Sequence, residues 1–267
     1  MNGNTMELIA QRTSVRSYAG TPLDDGMKQE LIERISACPP NPFVGAVRLS
    51  LAAGNGADGQ KLGTYGMISR ARDFLIGVGD GSPTDKEALG YALEWAVLQA
   101  TDLGLGTCWI SGTFDRSQFV TAANLTGGER VLAVSPVGLA AARPTLRSRL
   151  VHLTGAGRKD WTALFFDGDP ATPLTPEAAG NWRDVLEAVR LAPSAANGQP
   201  WRVIRREGQF DFYRRETAAV DGRLDLGIAI CHFELVAQEQ GLPGHWLAEA
   251  PTHTPDGLRY VLSWVQA

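Results

Sequence analysis

The sequence predicts an α+β fold built from two related halves, and three observations support this prediction. Apolar residues recur at helical spacing in some segments and alternate at strand spacing in others. A stretch of the first half recurs in similar form near the end of the chain. A proline-rich segment, GDPATPLTPE, separates the two occurrences. We therefore predict a first half at residues 1–167, a linker at 168–177 and a shorter second half at 178–267.

The composition is that of a soluble globular protein. The 267 residues are 44% apolar and 20% charged, with a formal net charge of −4. The chain has no basic run with interleaved aromatic residues, no signal-peptide pattern at its start and no window near the roughly 18 apolar residues of a membrane span. We expect a cytoplasmic protein without nucleic-acid or membrane partners.

Cysteine and histidine residues do not form a metal-binding pattern. Cys38, Cys108 and Cys231 are widely separated and lie in apolar surroundings, so we predict free, buried thiols. His232 follows Cys231 in a predicted helix, where adjacent side chains point about 100° apart and do not share a ligand. No metal is expected.

Two helices and a strand open the first half. Residues 5–11 predict a short helix, and Asp24 or Asp25 can cap a second helix that ends before Pro39. The apolar face predicted for the second helix consists of Met27, Leu31, Ile32 and Ile35. The alternating segment VRLSLAAG, which begins at Val47, predicts the strand.

A long apolar helix is predicted from Glu87 to Leu103, deep in the core, with Gly104 as its C-terminal cap. Strand patterns begin at Asp73 before it and at Val131 after it. The glycine-rich residues 54–66 lack the GK[ST] ending of a phosphate-binding loop, so we predict a mobile surface loop there. Gly104, Gly106 and Gly112 follow the long helix and are expected to let the backbone approach a ligand closely.

Two polar stretches could form a binding site. RTSVR, residues 12–16, offers two guanidinium groups and two hydroxyls that can hydrogen-bond a phosphate, although solvated surface arginines are an alternative. PSAANGQPW, residues 193–201, is a helix-to-strand corner of small and amide residues. A flat polar ring could lie against this corner; the alternative is a turn that happens to be polar.

The long helix and the turn after it are repeated. LGYALEWAVLQATDLGLGTCW at 89–109 aligns without a gap with LGIAICHFELVAQEQGLPGHW at 226–246, and eight of the 21 positions are identical. Upstream, CPPNPF stands where the second copy has PSAANGQPW; downstream, RVLAVSPVG from Arg130 aligns with RYVLSWVQA from Arg259. RTSVR has no counterpart in the second copy. A site that needs both polar stretches can therefore form only once in the chain.

These motifs resemble the FMN-dependent nitroreductase family, and in particular its single-chain branch, the putative TM nitroreductase group. RTSVR is similar to the family's RRSxR, LAPSAANGQPW to its LAPSxxNxQPW, and RKDWTALFF to its RKPLEEL segment; LGLGTCWISGTF is the fourth element. The resemblance covers nearly the whole chain. It implies a nitroreductase-like pseudo-dimer, in which two half-domains share a central mixed or antiparallel sheet flanked by helices and hold one FMN at their junction.

The resemblance also implies the residues that contact FMN. The phosphate would be held by Arg12, Ser14, Arg158 and Lys159. The edge of the ring at N1 and the C2 carbonyl would face Arg16. Backbone amides at Ser111 and Gly112 would face N5 and the C4 carbonyl, and the ring would pack on Pro193, Ser194, Ala195 and Asn197. Thr13 departs from the family's usual arginine or histidine.

The implied activity is that of an NAD(P)H-dependent flavin oxidoreductase. NADH or NADPH would reduce FMN, and an electron-poor small molecule, such as a nitroaromatic or a quinone, would reoxidise it. No side-chain acid or base is needed, because flavin N5 carries the chemistry. The alternatives are dehydrogenation, reductive dehalogenation and a flavin-free binding protein. Because one chain carries both halves, a monomer is expected rather than an obligate dimer.

Overall fold

The computed structural model describes residues 4–54, 62–143, 157–215, 221–251 and 253–267. The chain forms two compact units, Met1–Gly155 and Ala156–Ala267. The proline-rich segment predicted as a linker lies within the second unit, where Leu174 is buried and the Gly168 N–H donates to the Arg205 carbonyl over 2.8 Å. The division of the repeat itself at residue 167 stays a prediction.

The described part of the first unit contains four helices and a four-stranded antiparallel sheet. The helices are α1 (Thr5–Gln11), α2 (Asp25–Ser36), α3 (Asp85–Asp102) and α4 (Arg116–Ala123). The strands are β1 (Val47–Ala53), β2 (Asp73–Gly79), β3 (Gly106–Thr107) and β4 (Arg130–Gly138). They lie in the order β1-β2-β4-β3.

Local chemistry explains where these helices begin and which faces they bury. The Asp24 carboxylate accepts the Met27 N–H over 2.8 Å and so caps α2, as predicted. Leu31 of α2 is fully buried, but Ile32 is 44% exposed, contrary to the predicted apolar face. Ile32 points about 100° away from Leu31 around the helix, and α2 buries only the side that carries Leu31. The predicted long helix, α3, is buried along almost its whole length.

The described part of the second unit contains two α-helices, three short 3-10 helices (Trp161–Ala163, Gly180–Trp182 and Ala195–Asn197) and a five-stranded sheet. The α-helices are α5 (Arg183–Leu191) and α6 (Arg223–Glu239). The strands are β5 (Phe165–Asp167), β6 (Trp201–Arg206), β7 (Gln209–Arg215), β8 (Gly244–Leu247) and β9 (Leu258–Gln266). Their order is β5-β6-β7-β9-β8, with β5 parallel to β6 and the other pairs antiparallel.

The two sheets share their topology, since β6-β7-β9-β8 repeats the order β1-β2-β4-β3. Each central strand pair carries a β-bulge, in which Leu132 of β4 and Val261 of β9 are the extra residues. These two residues align in the sequence repeat. An internal duplication predicts this agreement in strand order and bulge position. The α+β fold is confirmed; the described strands form one sheet in each unit, where a shared central sheet was expected.

The long helices of the two units also end alike. Gly104 and Gly241 follow α3 and α6 with φ of +73° and +67°. The next N–H closes the turn, from Leu105 to the Ala100 carbonyl over 2.8 Å and from Leu242 to the Ala237 carbonyl over 2.9 Å. At each of these three aligned positions the two copies have the same residue, so the repeat preserves this turn. Gly104 therefore serves as the predicted helix cap.

The predicted buried thiols are found at Cys108 and Cys231, whereas Cys38 is half-buried. Among the helices described, none is long and apolar enough to cross a membrane.

Candidate functional site

The RTSVR segment lies beside strand β3 of the first unit. Helix α1 ends at Gln11, and Arg12 caps it. The chain then runs parallel to β3, with the Val15 N–H donating to the Thr107 carbonyl over 2.8 Å. A Cβ atom added to Gly106 would lie 2.7 Å from Val15. Glycine is therefore required for the approach of this segment to β3, rather than for the ligand approach predicted from the sequence.

Three of the predicted residues lie close enough to the Cys108 thiol to affect its pKa. Burial raises the pKa of this thiol, and the charges of Arg16 and Arg12 and a hydrogen bond with Ser14 oppose the rise. Arg16 also donates from Nη1 to the Ser14 carbonyl at 3.5 Å. The Nε of Arg12 is buried and finds no hydrogen-bond partner within the described ranges. Thr13, in contrast, is exposed.

Ser111 and Gly112 lie four and five residues beyond the bridge between Ser14 and Thr107. Two backbone hydrogen bonds between Ile110 and Val134, of 2.9 and 2.8 Å, fix the chain just before them. Both residues are exposed, and a Cβ atom added to Gly112 would meet no atom within 4 Å. The chain is thus hydrogen-bonded to β4 directly before Ser111, and the space beside Gly112 is open. The glycine-rich loop predicted at 54–66 lies largely outside the described residues.

The polar corner of the second unit connects α5 to β6 and has an unusual backbone. Ala196, Asn197 and Gln199 have φ of 49°, 55° and 47°, a region that side chains other than glycine seldom adopt. The Gln199 N–H donates to the Ser194 hydroxyl over 2.9 Å, and the Ala195 N–H donates to Asp225 over 3.1 Å. Strain that the surroundings hold in place is typical of functional sites.

Arg158 and Lys159 brace this corner. The Arg158 guanidinium donates to the Leu191 carbonyl (2.6 Å), the Ala192 carbonyl (2.8 Å) and Oδ1 of Asn197 (3.2 Å). The Lys159 Nζ donates to the Gly198 carbonyl over 2.5 Å. Two segments that the sequence resemblance assigns to one cofactor therefore lie together within the second unit. Pro193 and Ser194 are half-buried beside them.

Gln199 belongs to the LAPSAANGQPW motif, but the motif predicted no role for its side chain. Its side chain is buried and accepts the Lys159 N–H over 2.8 Å at Oε1. Its Nε2 donates to the Asn197 carbonyl over 3.0 Å. Gln199 therefore joins the two segments, and the glutamine that precedes Pro200 and Trp201 was the available signal.

Asp225, near the start of α6, was missed entirely. It is 5% exposed; Oδ1 accepts the Ala195 N–H, while Oδ2 is buried without a hydrogen-bond partner in the part of the chain described. Burial raises the pKa of Asp225 to about 6, the Ala195 N–H opposes this rise, and the charge of Asp221 adds to it. An aspartate near a helix start is too common to have indicated this contact from sequence.

The structure thus gathers the predicted residues into two groups, each within its own unit. Arg12, Ser14 and Arg16 form one group near Cys108; Arg158, Lys159 and the corner form the other. The predicted joining of the two groups around one cofactor stays a prediction. Among the described residues, no cluster of three or more histidine, cysteine, aspartate or glutamate side chains is placed to hold a metal ion.

Comparison with known proteins links the whole chain to one family. A family model described as "Putative TM nitroreductase" matches residues 4–237. A putative nitroreductase from Thermotoga maritima has a similar structure, with 18% identity, a TM-score of 0.65 and coverage of 99% of this chain and 94% of that chain. The nitroreductase fold therefore extends over the whole chain, as the sequence resemblance implied.

Other solved structures match about half of the chain. A nitroreductase family protein from Clostridium novyi NT has 19% identity and a TM-score of 0.42, covering 52% of this chain and 87% of that chain. A nitroreductase with bound FMN from Bacteroides fragilis has 17% identity and a TM-score of 0.43, covering 54% and 92%. No curated protein matches this sequence.

Proposed function

The chain belongs to the putative TM nitroreductase family and is a nitroreductase-like oxidoreductase, and from this premise we propose that its cofactor is a single FMN. We further propose that NADH or NADPH supplies hydride and that an electron-poor small molecule, a nitroaromatic or a quinone, accepts it. The observation that carries the proposal is the unpartnered, buried Nε of Arg12 in the RTSVR segment.

The residues of the first unit have the chemistry that FMN requires. A buried guanidinium N–H without an acceptor is costly, and a phosphate oxygen is one of the charged acceptors that a guanidinium binds strongly. Ser14 adds a hydroxyl donor near Arg12 and Arg16, and the open space at Gly112 leaves room for a ring beside the backbone. These features support a flavin nucleotide over an uncharged ligand.

Each group then has a distinct part in binding. Arg12 and Ser14 hold the phosphate, together with the positive charge of Arg158 and Lys159. Arg16 provides a fixed cation at the edge of the ring, and the N–H groups of Ser111 and Gly112 orient it. Bound FMN supplies hydride transfer at N5.

The corner of the second unit packs on the ring through Pro193, Ser194, Ala195 and Asn197. Its backbone is already held in a strained conformation by Gln199, Arg158 and Asp225. A surface fixed in advance loses less conformational entropy when a ligand binds. We propose that this rigidity is the reason for the buried hydrogen bonds of the corner.

Purification and titration test the cofactor. We expect a yellow protein that binds one FMN per chain. Arg12→Ala and Asn197→Ala should each raise the Kd for that FMN by at least about tenfold, roughly 1.4 kcal/mol, although they belong to different units. Arg205→Gln, which alters an arginine paired with Asp167, is the control and should leave the Kd unchanged. A colourless protein that ignores added FMN would refute the proposal, and two equivalents of FMN would refute the single site.

The role of Arg16 has a separate readout. A fixed cation near N1 stabilises negative charge on the reduced ring, so Arg16→Ala should lower the reduction potential more than it weakens FMN binding. An unchanged potential would remove Arg16 from that edge.

Stopped-flow measurements then identify the reaction. Reduction of the flavin by NADH and by NADPH is compared first. The reduced protein is next mixed with nitroaromatic, quinone and halogenated acceptors, and flavin reoxidation is timed. Fast reoxidation by the first two classes supports the proposed activity. A preference for halogenated compounds would favour reductive dehalogenation instead.

A further inference from the structure

Three cationic side chains lie together at the base of the polar corner, on the second unit. Arg202 of β6 is only 8% exposed, and its Nη1 donates to the carbonyls of Gln199 (3.1 Å) and Trp201 (2.5 Å). The Lys159 Nζ donates to the same Gln199 carbonyl over 3.3 Å. One neutral oxygen is therefore shared by two positively charged groups.

Arg215 adds a third charge from the neighbouring strand. Arg202 pairs across the sheet with Tyr213, and Arg215 is two residues further along β7, so both arginines project from the same face of the sheet. Burial, and then the charge of Arg215, together lower the pKa of Arg202 to about 10. Burial and the charges of Arg202 and Arg215 lower the pKa of Lys159. The three groups are thus close enough to repel one another.

No carboxylate balances these charges within the described part of the chain. The next two arginines of the same strand differ in this respect, because Arg205 pairs with Asp167 over 2.6 Å and Arg206 with Asp211 over 2.7 Å. Burying like charges without a counter-ion costs free energy. In the described residues all hydrogen bonds of the Arg202 side chain come from Nη1, which leaves Nε and Nη2 available as donors.

We propose that Lys159, Arg202 and Arg215 form a binding site for a phosphate-type oxyanion. Such an ion would balance the charge cluster, and a guanidinium group presents its N–H groups in the geometry that phosphate accepts. The oxyanion can be the phosphate of FMN itself or the phosphate of a separate ligand. The site does not depend on the flavin assignment, because the cation cluster exists in either case.

Inorganic phosphate is the probe, and the thermal stability of the full chain is the readout. At equal ionic strength and pH 7.5, we expect phosphate to raise the Tm of the FMN-free protein more than chloride does, because a ligand of the folded state stabilises it. Arg215→Gln should weaken phosphate binding about fivefold or more. Since Arg215 is exposed and repels its neighbours, this variant should be no less stable than the wild type in chloride.

Two further variants separate binding from folding. Arg202→Gln should weaken phosphate binding at least as much as Arg215→Gln, and Arg205→Gln, with its ion pair to Asp167, should keep the full phosphate effect. A phosphate effect that disappears after FMN loading would identify the flavin phosphate as the occupant. An effect that persists would show a separate oxyanion site.

The proposal fails if phosphate stabilises the wild type no more than chloride does, or if Arg215→Gln leaves the phosphate effect intact. Either result would mean that Lys159 and Arg202 only brace backbone carbonyls and that Arg215 takes no part in anion binding. If the protein binds phosphate but not FMN, the oxyanion site stands and the proposed function fails, so the two proposals are tested separately.

Discussion

The two sheets have the same strand order, but the corresponding face of each sheet is apolar in the first unit and polar in the second. In the first sheet, Ile76 of β2 pairs with Val134 of β4. Both are buried in a cluster with Phe119 of helix α4, which lies between β3 and β4 in the chain. This face is therefore an apolar core that a helix covers.

In the second sheet, the corresponding cross-strand pair is Asp211 and Ser263. The Ser263 hydroxyl donates to Asp211 over 2.6 Å, as do Nε2 of Gln209 and Nε of Arg206, each over 2.7 Å. The described residues between β8 and β9 form no helix. Here the face is a buried polar network.

The difference shows that topology and burial pattern are separate properties of a repeated sheet. An apolar face is stable only when another element covers it, and a polar face only when its groups hydrogen-bond one another. The first unit meets the first condition through α4. The second unit meets the second condition through the hydrogen bonds of Asp211, with no helix in the described residues between β8 and β9.

The largest expected effect comes from opening the apolar face. Phe119 is fully buried and makes edge-to-face contacts with Phe74 and Phe114, with ring centroids 5.4 and 5.3 Å apart. Phe119→Ala should lower the free energy of unfolding by about 3–5 kcal/mol, measured by chemical denaturation. Val120→Ala on the exposed side of α4 is the control, with an expected loss within about 0.5 kcal/mol. Equal losses would show that α4 does not cover the sheet.

A somewhat smaller effect is expected from breaking the polar face. Asp211 is completely buried, so Asp211→Ala leaves its donors without an acceptor and should cost about 2–4 kcal/mol. The control is Asp167→Ala, because Asp167 pairs with the adjacent Arg205 but its side chain is 44% exposed. An exposed pair contributes at most about 1 kcal/mol. If both variants lost the same amount in denaturation experiments, the network would not be the equivalent of the apolar core.

Sequence patterns predicted the elements of both units better than their contacts. The helix at residues 5–11, the buried α3 and the strands at Val47 and Asp73 follow from periodicity and capping, which are local properties. The assignment of 168–177 as a linker rested on proline content and stays a prediction; in the structure the Gly168 N–H donates to the Arg205 carbonyl of β6, and Leu174 is buried.

The candidate site, too, was predicted only where local sequence motifs indicate it. Motifs identified the RTSVR segment, the corner and Arg158 with Lys159, and the last two lie against the corner in the structure. The role of these residues in binding FMN stays a prediction. Asp225 and Arg202 have no such signal. Their burial depends on which strand or loop packs against them, and a single sequence does not report those long-range contacts.

The helix starts offer a third comparison, with a pH-dependent outcome. The buried Asp85 at the start of α3 pairs with Arg130 over 3.1 Å. Asp225 of α6 instead accepts the Ala195 N–H of the corner, and no cation among the described residues pairs with it. Helix α6 therefore starts with a buried acid, Asp225, whose protonation stabilises the folded state.

The direction of the Asp225 pKa shift determines whether stability rises or falls with pH. The pKa of Asp225 is about 6 in the folded state, above its ordinary value near 4, so the folded state binds the proton more tightly. Its contribution is fully present below about pH 4 and is lost as the pH rises through 6. In denaturation experiments across this range, Asp225→Asn should remove roughly 2–3 kcal/mol of pH dependence. Asp221→Asn should retain most of it, and identical profiles for the wild type and Asp225→Asn would contradict the assignment.

The smallest effect concerns the RTSVR segment, which only the first unit has. Gly106 lets this segment lie against β3, and an added Cβ atom would be 2.7 Å from Val15. Gly106→Ala should therefore cost about 1–3 kcal/mol, as overpacking usually does. Gly112→Ala is the matched control, because an added Cβ atom meets nothing within 4 Å there. If Gly106→Ala also weakened FMN binding and Gly112→Ala left stability unchanged, close packing of the segment would be linked directly to its predicted role. A fully stable Gly106→Ala variant would show that the segment can shift away from β3.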